Sequence, residues 1–371
     1  MKRIPQEASK YPMPEPLKNL YNAVFLDSLC KEISALYRQF DAPGFSQHVI
    51  DDAWDEKELK ARMKHISESL HHFLPMNYAE TIQILMKAAP KFNGFEYMFF
   101  PGFVELYGLE NYELSIPALE HLTPYSSSEF AVRPFIKKYG QKMMQQMENW
   151  AESDNHHVRR LASEGCRPRL PWAMALPAFK KDPSPILTIL ETLKNDESDY
   201  VRRSVANNLN DISKDNPQVV IEIANRWLGE SPEVDWVVKH ACRTLLKQGD
   251  PAVLALLGFS KPRHVEVEEF HVQASVEMGD NLAFSFILRT QQPTLGKIRL
   301  EYAIDFMKKN GSQARKLFKI SESTIPGNKK VVKKFHSFRK ISTRKYYAGP
   351  HGIAIIVNGC ELANKAFLLK Q

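Results

Sequence analysis

The spacing of apolar residues changes near residue 260, and this change constrains the fold more than any other feature of the sequence. Between Leu17 and Phe259 apolar side chains recur every three or four residues, which is the spacing of amphipathic helices. Beyond Pro262 apolar and polar residues alternate, as at 265–268, which is the spacing of half-buried strands. We therefore predict a multidomain chain in which a helical region is followed by an all-β region.

Prolines divide the helical region into separate helices of about 10 to 20 residues. A proline stops one helix or occupies the first turn of the next, because its ring has no N–H to donate. Such prolines lie at positions 90, 124, 171, 183, 217, 232 and 251. The stretch 17–40 carries one continuous apolar stripe and is predicted to form one long helix.

A short unit recurs within the helical region, at 154–162, 197–206 and 233–241. Its valines, Val158, Val201 and Val237, are 43 and 36 residues apart. Helical pairs of the HEAT type have a period of about 40–47 residues, and the acidic residue that opens each unit can cap its helix. The predicted architecture is an α-solenoid of HEAT-like repeats with a concave face.

The alternating region contains about seven short strands separated by turn signals, which is typical of an immunoglobulin-like β-sandwich. The turn signals are Gly279-Asp280-Asn281, Asn310-Gly311, Pro326-Gly327-Asn328 and Gly349-Pro350-His351-Gly352. We assign residues 1–16 to an N-terminal extension, 17–262 to the HEAT-like domain and 263–371 to the sandwich.

The positive charge of the chain lies in the sandwich region. The formal net charge is +7, and residues 264–371 hold 18 Lys and Arg against 9 Asp and Glu. This region therefore carries +9 and the rest of the chain −2, which favours a polyanion as the partner of the sandwich.

No apolar run reaches the roughly 18 residues that a membrane span needs, and residues 1–16 are typical of neither a signal nor a transit peptide. We expect a cytoplasmic monomer without membrane contact. The cysteines are far apart and form no C-x-x-C pair, so we expect no metal site, no disulfide framework and no cofactor.

The segment 158–173 is the densest chemical cluster in the sequence. It contains four arginines, one carboxylate, a glycine, two prolines and Trp172. A helix that enters at Val158 is predicted to stop near Gly165, with Arg160 and Glu164 on one face. Such a cluster suits an anionic substrate. The alternative is an inter-helix loop clamped by salt bridges, with Trp172 as a buried anchor.

Three motifs resemble the AlkC branch of the bacterial AlkC/AlkD alkylpurine DNA glycosylases. They are SEGCRPRLPW at 163–172, SEFAVRPFI at 128–136 and EPLKNL at 15–20, and the resemblance covers residues 14 to about 260. It implies HEAT-like repeats and removal of cationic alkylated bases, chiefly 3-methyladenine, from duplex DNA. It also implies that some members carry an immunoglobulin-like C-terminal domain.

The resemblance places the catalytic carboxylates at Glu129 and Glu164, with an aromatic partner at Trp172. The related AlkD branch uses an aspartate flanked by tryptophans, a pattern that this sequence lacks. An alkylated purine is cationic and leaves as a neutral base, so the reaction needs no general acid. Carboxylates can instead stabilise the oxocarbenium character of the sugar and position a water.

Basic residues in both regions are candidates for contacts with DNA phosphates. In the helical region they are Arg133, Arg159, Arg160, Arg167, Arg169, Arg202, Arg203 and Lys239. In the sandwich they are Lys333, Lys334, Arg339, Lys340, Arg344 and Lys345. The alternatives are that the repeat arginines bridge neighbouring repeats, and that the sandwich lysines protect an edge strand from aggregation.

Two functions of different classes fit these features. The first is a glycosylase acting on double-stranded DNA that carries alkylated bases. The second is a non-catalytic HEAT-repeat scaffold that binds damaged DNA or a protein partner.

Overall fold

The computed structural model describes residues 15–341 and 344–371. Residues 1–14, most of the predicted N-terminal extension, lie outside the described residues. The described residues fall into two compact units that divide between Ile212 and Ser213. Among them, no helix has both the length and the apolar character that crossing a membrane requires.

The first unit consists of α-helices joined by short loops and 3₁₀ turns. The helices are α1 (Ala23–Leu36), α2 (Ala42–Val49), α3 (Leu59–Phe73), α4 (Tyr78–Ala88), α5 (Phe99–Tyr107), α6 (Tyr112–Leu122), α7 (Val132–Tyr139), α8 (Gln141–Ala151), α9 (His156–Gly165), α10 (Pro177–Lys181), α11 (Ser184–Leu193) and α12 (Asp199–Ile212). The 3₁₀ turns are Leu17–Leu20, Trp54–Glu56, Ala89–Lys91 and Phe95–Met98.

The single long helix predicted for 17–40 is wrong. The Asn22 side chain accepts a hydrogen bond from the Phe25 backbone N–H at 3.1 Å, so α1 begins at Ala23, after the 3₁₀ turn Leu17–Leu20. An apolar stripe indicates which face of a helix is buried, but it does not indicate where a capping side chain begins a new helix.

Helices α9 and α12 contain the first two repeat units and pack against each other. The repeat valine is buried in the first turn of each helix: Val158 is 3% exposed and Val201 is 0% exposed. The acidic caps predicted for the repeats are wrong at α9 and at α14 (Pro232–Ala241), the helix of the third repeat unit. Asn155 and Ser231 cap these helices, each accepting a hydrogen bond from a first-turn backbone N–H. A small polar side chain before the first turn reaches these donors readily.

The second unit combines four helices with two β-sheets. The helices are α13 (Pro217–Trp227), α14 (Pro232–Ala241), α15 (Arg243–Gln248) and α16 (Pro251–Leu256). The strands are β1 (Val265–Val272), β2 (Ser275–Glu277), β3 (Asn281–Thr290), β4 (Gly296–Met307), β5 (Gln313–Ile325), β6 (Lys329–Ser337), β7 (Gly349–Val357) and β8 (Cys360–Lys370). The predicted order of a helical-repeat region and a β-sandwich is confirmed. The compact units divide elsewhere, so the domain assignment at 262/263 stays a prediction.

The strands form one sheet in the order β1-β3-β6 and another in the order β2-β8-β7-β4-β5. The turn predicted at Gly349-Pro350-His351-Gly352 is wrong, because these residues open β7 and pair with β8. The tight turn lies instead at Asn358 and Gly359, whose φ angles of 46° and 77° are those of a two-residue hairpin that favours Asn-Gly.

A buried histidine lies inside the sandwich. His336 on β6 is 6% exposed, and its Nδ1 lies 2.9 Å from the Tyr302 hydroxyl oxygen on β4. Burial, together with the nearby cations of Arg344 and Lys316, lowers the pKa of His336 to about 4. This imidazole is therefore neutral in the folded protein at neutral pH.

Candidate active site

Helix α9 supplies the central carboxylate of the candidate site. It ends at Gly165, as predicted, and its last turn carries Glu164 four residues after Arg160. A Cβ atom at Gly165 would lie 2.6 Å from Val132 Cγ1 on α7, so only glycine permits this close approach. The glycine thereby allows the end of α9, with its carboxylate, to pack tightly against α7.

The Glu164 carboxylate is buried and surrounded by donors. Its Oε1 accepts a hydrogen bond from Arg167 Nη1 at 2.6 Å and lies 3.4 Å from Arg160 Nη2. Its Oε2 accepts from the Ser204 hydroxyl at 2.7 Å. With 5% of the residue exposed, these contacts fix the carboxylate in one orientation.

Glu129 reaches the same guanidinium group from the segment before α7. Its Oε2 accepts a hydrogen bond from the Ser127 hydroxyl at 2.7 Å and forms an ion pair with Arg160 Nη1. Burial disfavours the charged form of Arg160, but Glu164 and Glu129 together raise its pKa above the usual value. The two carboxylates named from the sequence therefore meet at one arginine.

Asp211 extends this cluster, because its Oδ2 accepts a hydrogen bond from Arg167 Nε at 2.9 Å. Three carboxylates thus contact two guanidinium groups. Sequence reasoning missed Asp211 and its neighbours on α12. The signal was available: Ser204, Asn208 and Asp211 recur at helical spacing, and all three are buried.

Trp172 lies in the loop that follows α9, with its side chain in solvent. It is 61% exposed and has a φ of 65°, a left-handed conformation that bulky residues rarely adopt. The Lys60 ammonium donates a hydrogen bond to the Trp172 carbonyl at 2.6 Å, and the Phe95 ring lies edge-on at 5.9 Å. The alternative of a buried anchor is therefore wrong. A strained, exposed aromatic residue is more typical of a functional site.

Tyr200 is a further aromatic residue that sequence reasoning missed. Its ring centroid lies 4.7 Å from the Arg160 guanidinium carbon, and 42% of the residue is exposed. The ring therefore packs against the guanidinium group that contacts both Glu129 and Glu164.

Two family models match separate parts of the chain. Residues 112–245, which include Glu129, Glu164 and Trp172, match the family described as DNA alkylation repair enzyme. Residues 266–371 match the family described as the C-terminal Ig-like domain of the uncharacterised protein YhaZ. The chain is 45% identical over 345 residues to YhaZ of Bacillus subtilis (strain 168), covering 92% of this chain and 96% of that protein.

A solved structure covers nearly the whole chain. It is the alkylpurine DNA glycosylase AlkC of Pseudomonas fluorescens, bound to DNA containing an abasic site analog. The two chains are 37% identical with a TM-score of 0.92, over 96% of this chain and all of that one. This chain belongs to the AlkC-type branch of the DNA alkylation repair enzymes.

Two arginines that we assigned to phosphate contacts in this AlkC-type chain are structural instead. Arg133 is 0% exposed, and it donates to the Met174 and Gly165 carbonyls at 2.7 Å each. Burial lowers its pKa to about 10, which still leaves it charged at neutral pH. Arg167 is 7% exposed and is engaged with Glu164 and Asp211. Neither guanidinium is accessible to a phosphate in this conformation.

The repeat arginines divide between bridging and exposed positions. Arg159 Nε donates to Asp196 Oδ2 at 2.6 Å, which connects α9 to the loop before α12. Arg202 donates to the Asp196 carbonyl at 2.6 Å. Arg169 and Arg203 are exposed, and Arg203 also pairs with Asp199 on its own helix. The bridging interpretation therefore holds for Arg159, and the exposed arginines remain phosphate candidates.

The basic candidates of the second unit lie mainly on one edge of the sandwich. Lys239 on α14 pairs with Glu322 on β5, although half of its side chain is exposed. Strand β6 is an edge strand, and the exposed cations on it and after it are Lys333, Lys334, Arg339, Lys340 and Lys345. Arg344 lies 4.4 Å from the Phe306 ring centroid. Phosphate contact and protection of the edge are both compatible with this placement.

Within residues 15–341 and 344–371, no group of three or more His, Cys, Asp or Glu side chains is arranged to hold a metal ion.

Proposed function

We propose that this AlkC-type protein is a monofunctional DNA glycosylase that hydrolyses the N-glycosidic bond of cationic alkylated bases, chiefly 3-methyladenine, in duplex DNA. One observation carries the proposal. Glu129 and Glu164 converge on Arg160, within a chain that is 37% identical to a solved AlkC over nearly its whole length.

The chemistry of the substrate defines what the site must supply. The alkylated base carries a positive charge, so it departs as a neutral leaving group and needs no proton. The sugar then acquires positive charge, and a water must attack its anomeric carbon. Ionised carboxylates can stabilise that charge and orient that water.

The two carboxylates suit different parts of this task. The Glu129 side chain is 14% exposed and that of Glu164 is 6% exposed. Glu129 is thus nearer to solvent and can position the water, whereas Glu164 is fixed by its donors and supplies a constant negative charge. A carboxylate about 4 Å from a cation contributes roughly 4 kcal/mol at an effective dielectric of about 20, which corresponds to about three decades of rate.

The arginines reduce that field. Arg160 and Arg167 contact Glu129, Glu164 and Asp211, and the buried Arg133 cation also acts on Glu164 and Asp211, so the stabilisation depends on how close the two glutamates lie to the sugar and not on a net charge of the cluster. Trp172 can add its electron-rich face against the sugar or the cationic base, a contribution of roughly 0.5–2 kcal/mol. So labile a lesion needs only a modest rate enhancement.

The excess cations of the sandwich are proposed to grip the DNA backbone, separately from the carboxylates. The carboxylates of the site repel phosphates and cannot supply this grip. A second, positively charged surface is therefore needed for affinity. The exposed arginines Arg169 and Arg203 can add contacts from the helical region.

The test is base release from N-methylpurine duplex DNA, with the released base identified by mass spectrometry. The proposal predicts 3-methyladenine as the main product of the wild-type protein. The scaffold alternative predicts salt-sensitive binding of the same DNA without release of any base. Because the Glu164 carboxylate is fully engaged in ion pairs, that alternative has structural support, and the experiment separates the two.

A further inference from the structure

A cavity of about 420 Å³ lies in the first unit between α3, α5 and the loop that carries Trp172. Its size falls within the range of about 300–1,000 Å³ that is usual for small-molecule sites. The walls are mainly apolar, formed by Met63, Met98, Phe99 and Phe130. Thioether and aromatic side chains of this kind pack well against a flat heterocycle.

One carboxyl group in the cavity has no role in the site described above. Glu105 on α5 lines the cavity, and within the described residues no hydrogen bond or ion pair reaches its carboxyl group. Burial raises its pKa, and the Lys60 ammonium offsets only part of that effect. The other cation at the rim, Lys64, is paired with Glu68 at 2.5 Å. A partly buried carboxyl without a hydrogen-bond partner in a mainly apolar cavity is suited to a ligand that can both donate and accept a hydrogen bond.

The cavity shares its wall with the candidate active site. Ser127, whose hydroxyl donates to Glu129, lines it, as do Ala173 and Met174, which directly follow Trp172. Lys60 also connects the two, because its ammonium donates to the Trp172 carbonyl and lies 5.3 Å from the Phe130 ring centroid. A small molecule released beside Trp172 would therefore have this cavity as its neighbour.

We propose that the cavity binds a free, uncharged alkyladenine base, with the Glu105 carboxyl paired to its amino edge. The inference rests on the proposed function, which supplies such a base as its product. The exocyclic amino group of an alkyladenine donates a hydrogen bond next to a ring nitrogen that accepts one. A protonated carboxyl offers the complementary acceptor and donor, so both of its oxygens are satisfied.

The experiment measures binding of free 3-methyladenine to the full-length, DNA-free protein by isothermal titration calorimetry. The expected result is saturable 1:1 binding with a Kd of about 0.1–1 mM, in keeping with a ligand of this size. Glu105→Leu is expected to weaken binding by at least about tenfold, because leucine can neither donate nor accept a hydrogen bond. Glu152→Leu, at an exposed position at the end of α8, is the matched control and is expected to leave the Kd unchanged.

A second variant tests the cavity itself. Gly102 lines it, and a Cβ atom there meets only Ser67 Oγ, at 3.4 Å, so Gly102→Leu should fill the cavity and abolish binding. The proposal is overturned if the wild-type protein shows no saturable binding, or if both variants, folded by circular dichroism, bind as the wild type does. A protein that releases base from DNA but binds no free base refutes this inference alone. A protein that binds the base but releases none refutes the proposed function instead.

Discussion

Removing Arg159 tests whether this arginine bridges two repeats or contacts a DNA phosphate, and the structure predicts the outcome. Its Nε and Nη2 donate to the two oxygens of Asp196 at 2.6 and 3.1 Å, and its Nη1 donates to the Ser153 and Asp154 carbonyls at 2.9 Å each. The side chains of the ion pair are 12% and 5% exposed. Arg159→Ala therefore leaves a nearly buried carboxylate without its main partner.

Breaking a buried ion pair on one side lowers the free energy of unfolding by about 3–5 kcal/mol. We expect Arg159→Ala to fall in that range, and the double variant with Asp196→Ala to recover part of the loss, because the stranded carboxylate is then gone. Arg203→Ala is the matched control. Its pair with Asp199 is more than half exposed, so its loss should lower the free energy of unfolding by less than about 1 kcal/mol.

Two measurements are made on each variant. Urea unfolding, monitored by hydrogen exchange in α9 and α12, gives the free energy of unfolding. DNA affinity, measured across a salt series, gives the salt slope. Arg159→Ala should lower stability and leave the salt slope unchanged. Arg203→Ala should leave the free energy of unfolding nearly unchanged and flatten the salt slope, by about 0.9 if Arg203 contacts one phosphate. The reasoning is refuted if Arg159→Ala flattens the slope while the free energy of unfolding stays within about 0.5 kcal/mol of the wild type.

The sandwich should lose about 3 kcal/mol of stability between pH 6.5 and pH 4, because His336 has a folded pKa of about 4 and an unfolded pKa near 6.5. The unfolded chain binds the proton first as pH falls, so the protection factors of the β4 amides, which correct for the slower intrinsic exchange at low pH, should fall over this range in the wild type and much less in His336→Gln; an equal fall in both proteins would contradict the assignment. Trp172→Gly should slow base release by up to about thirtyfold without lowering the free energy of unfolding, since glycine adopts a φ of 65° without strain; a clear loss of stability would instead make Trp172 structural. Lys333→Gln combined with Lys334→Gln should flatten the salt slope of DNA binding by up to about 1.8, whereas an unchanged slope with increased aggregation would make them edge protectors.

The fold was predictable because the spacing of apolar residues reports burial directly. Val158 and Val201 stand in repeated units and are both buried, and the alternation after Pro262 matches the strands that follow. The positions of the turns were harder to predict. Gly349 and Pro350 look like a turn but open β7, and the true turn at Asn358 follows a run of apolar residues that gave no boundary.

Residue spacing alone predicted only the part of the candidate site that lies on one helix. Arg160 and Glu164 are four residues apart on α9, so their proximity follows from helical geometry. The contacts of Arg160 with Glu129 and of Glu164 with Ser204 join residues 31 and 40 positions apart, and no local pattern encodes such pairs. The exposure of Trp172 depends on a left-handed backbone angle that residue type alone disfavours.

The central claim is that Glu129 and Glu164 act in base release. The most direct measurement is the single-turnover rate of 3-methyladenine release from methylated duplex DNA by Glu129→Gln and Glu164→Gln, at concentrations corrected for the folded fraction and compared with Glu152→Gln. The account predicts rates lower by about 10²–10³ for both variants, with DNA affinity retained and the control unchanged. Release at the wild-type rate by both folded variants would contradict it.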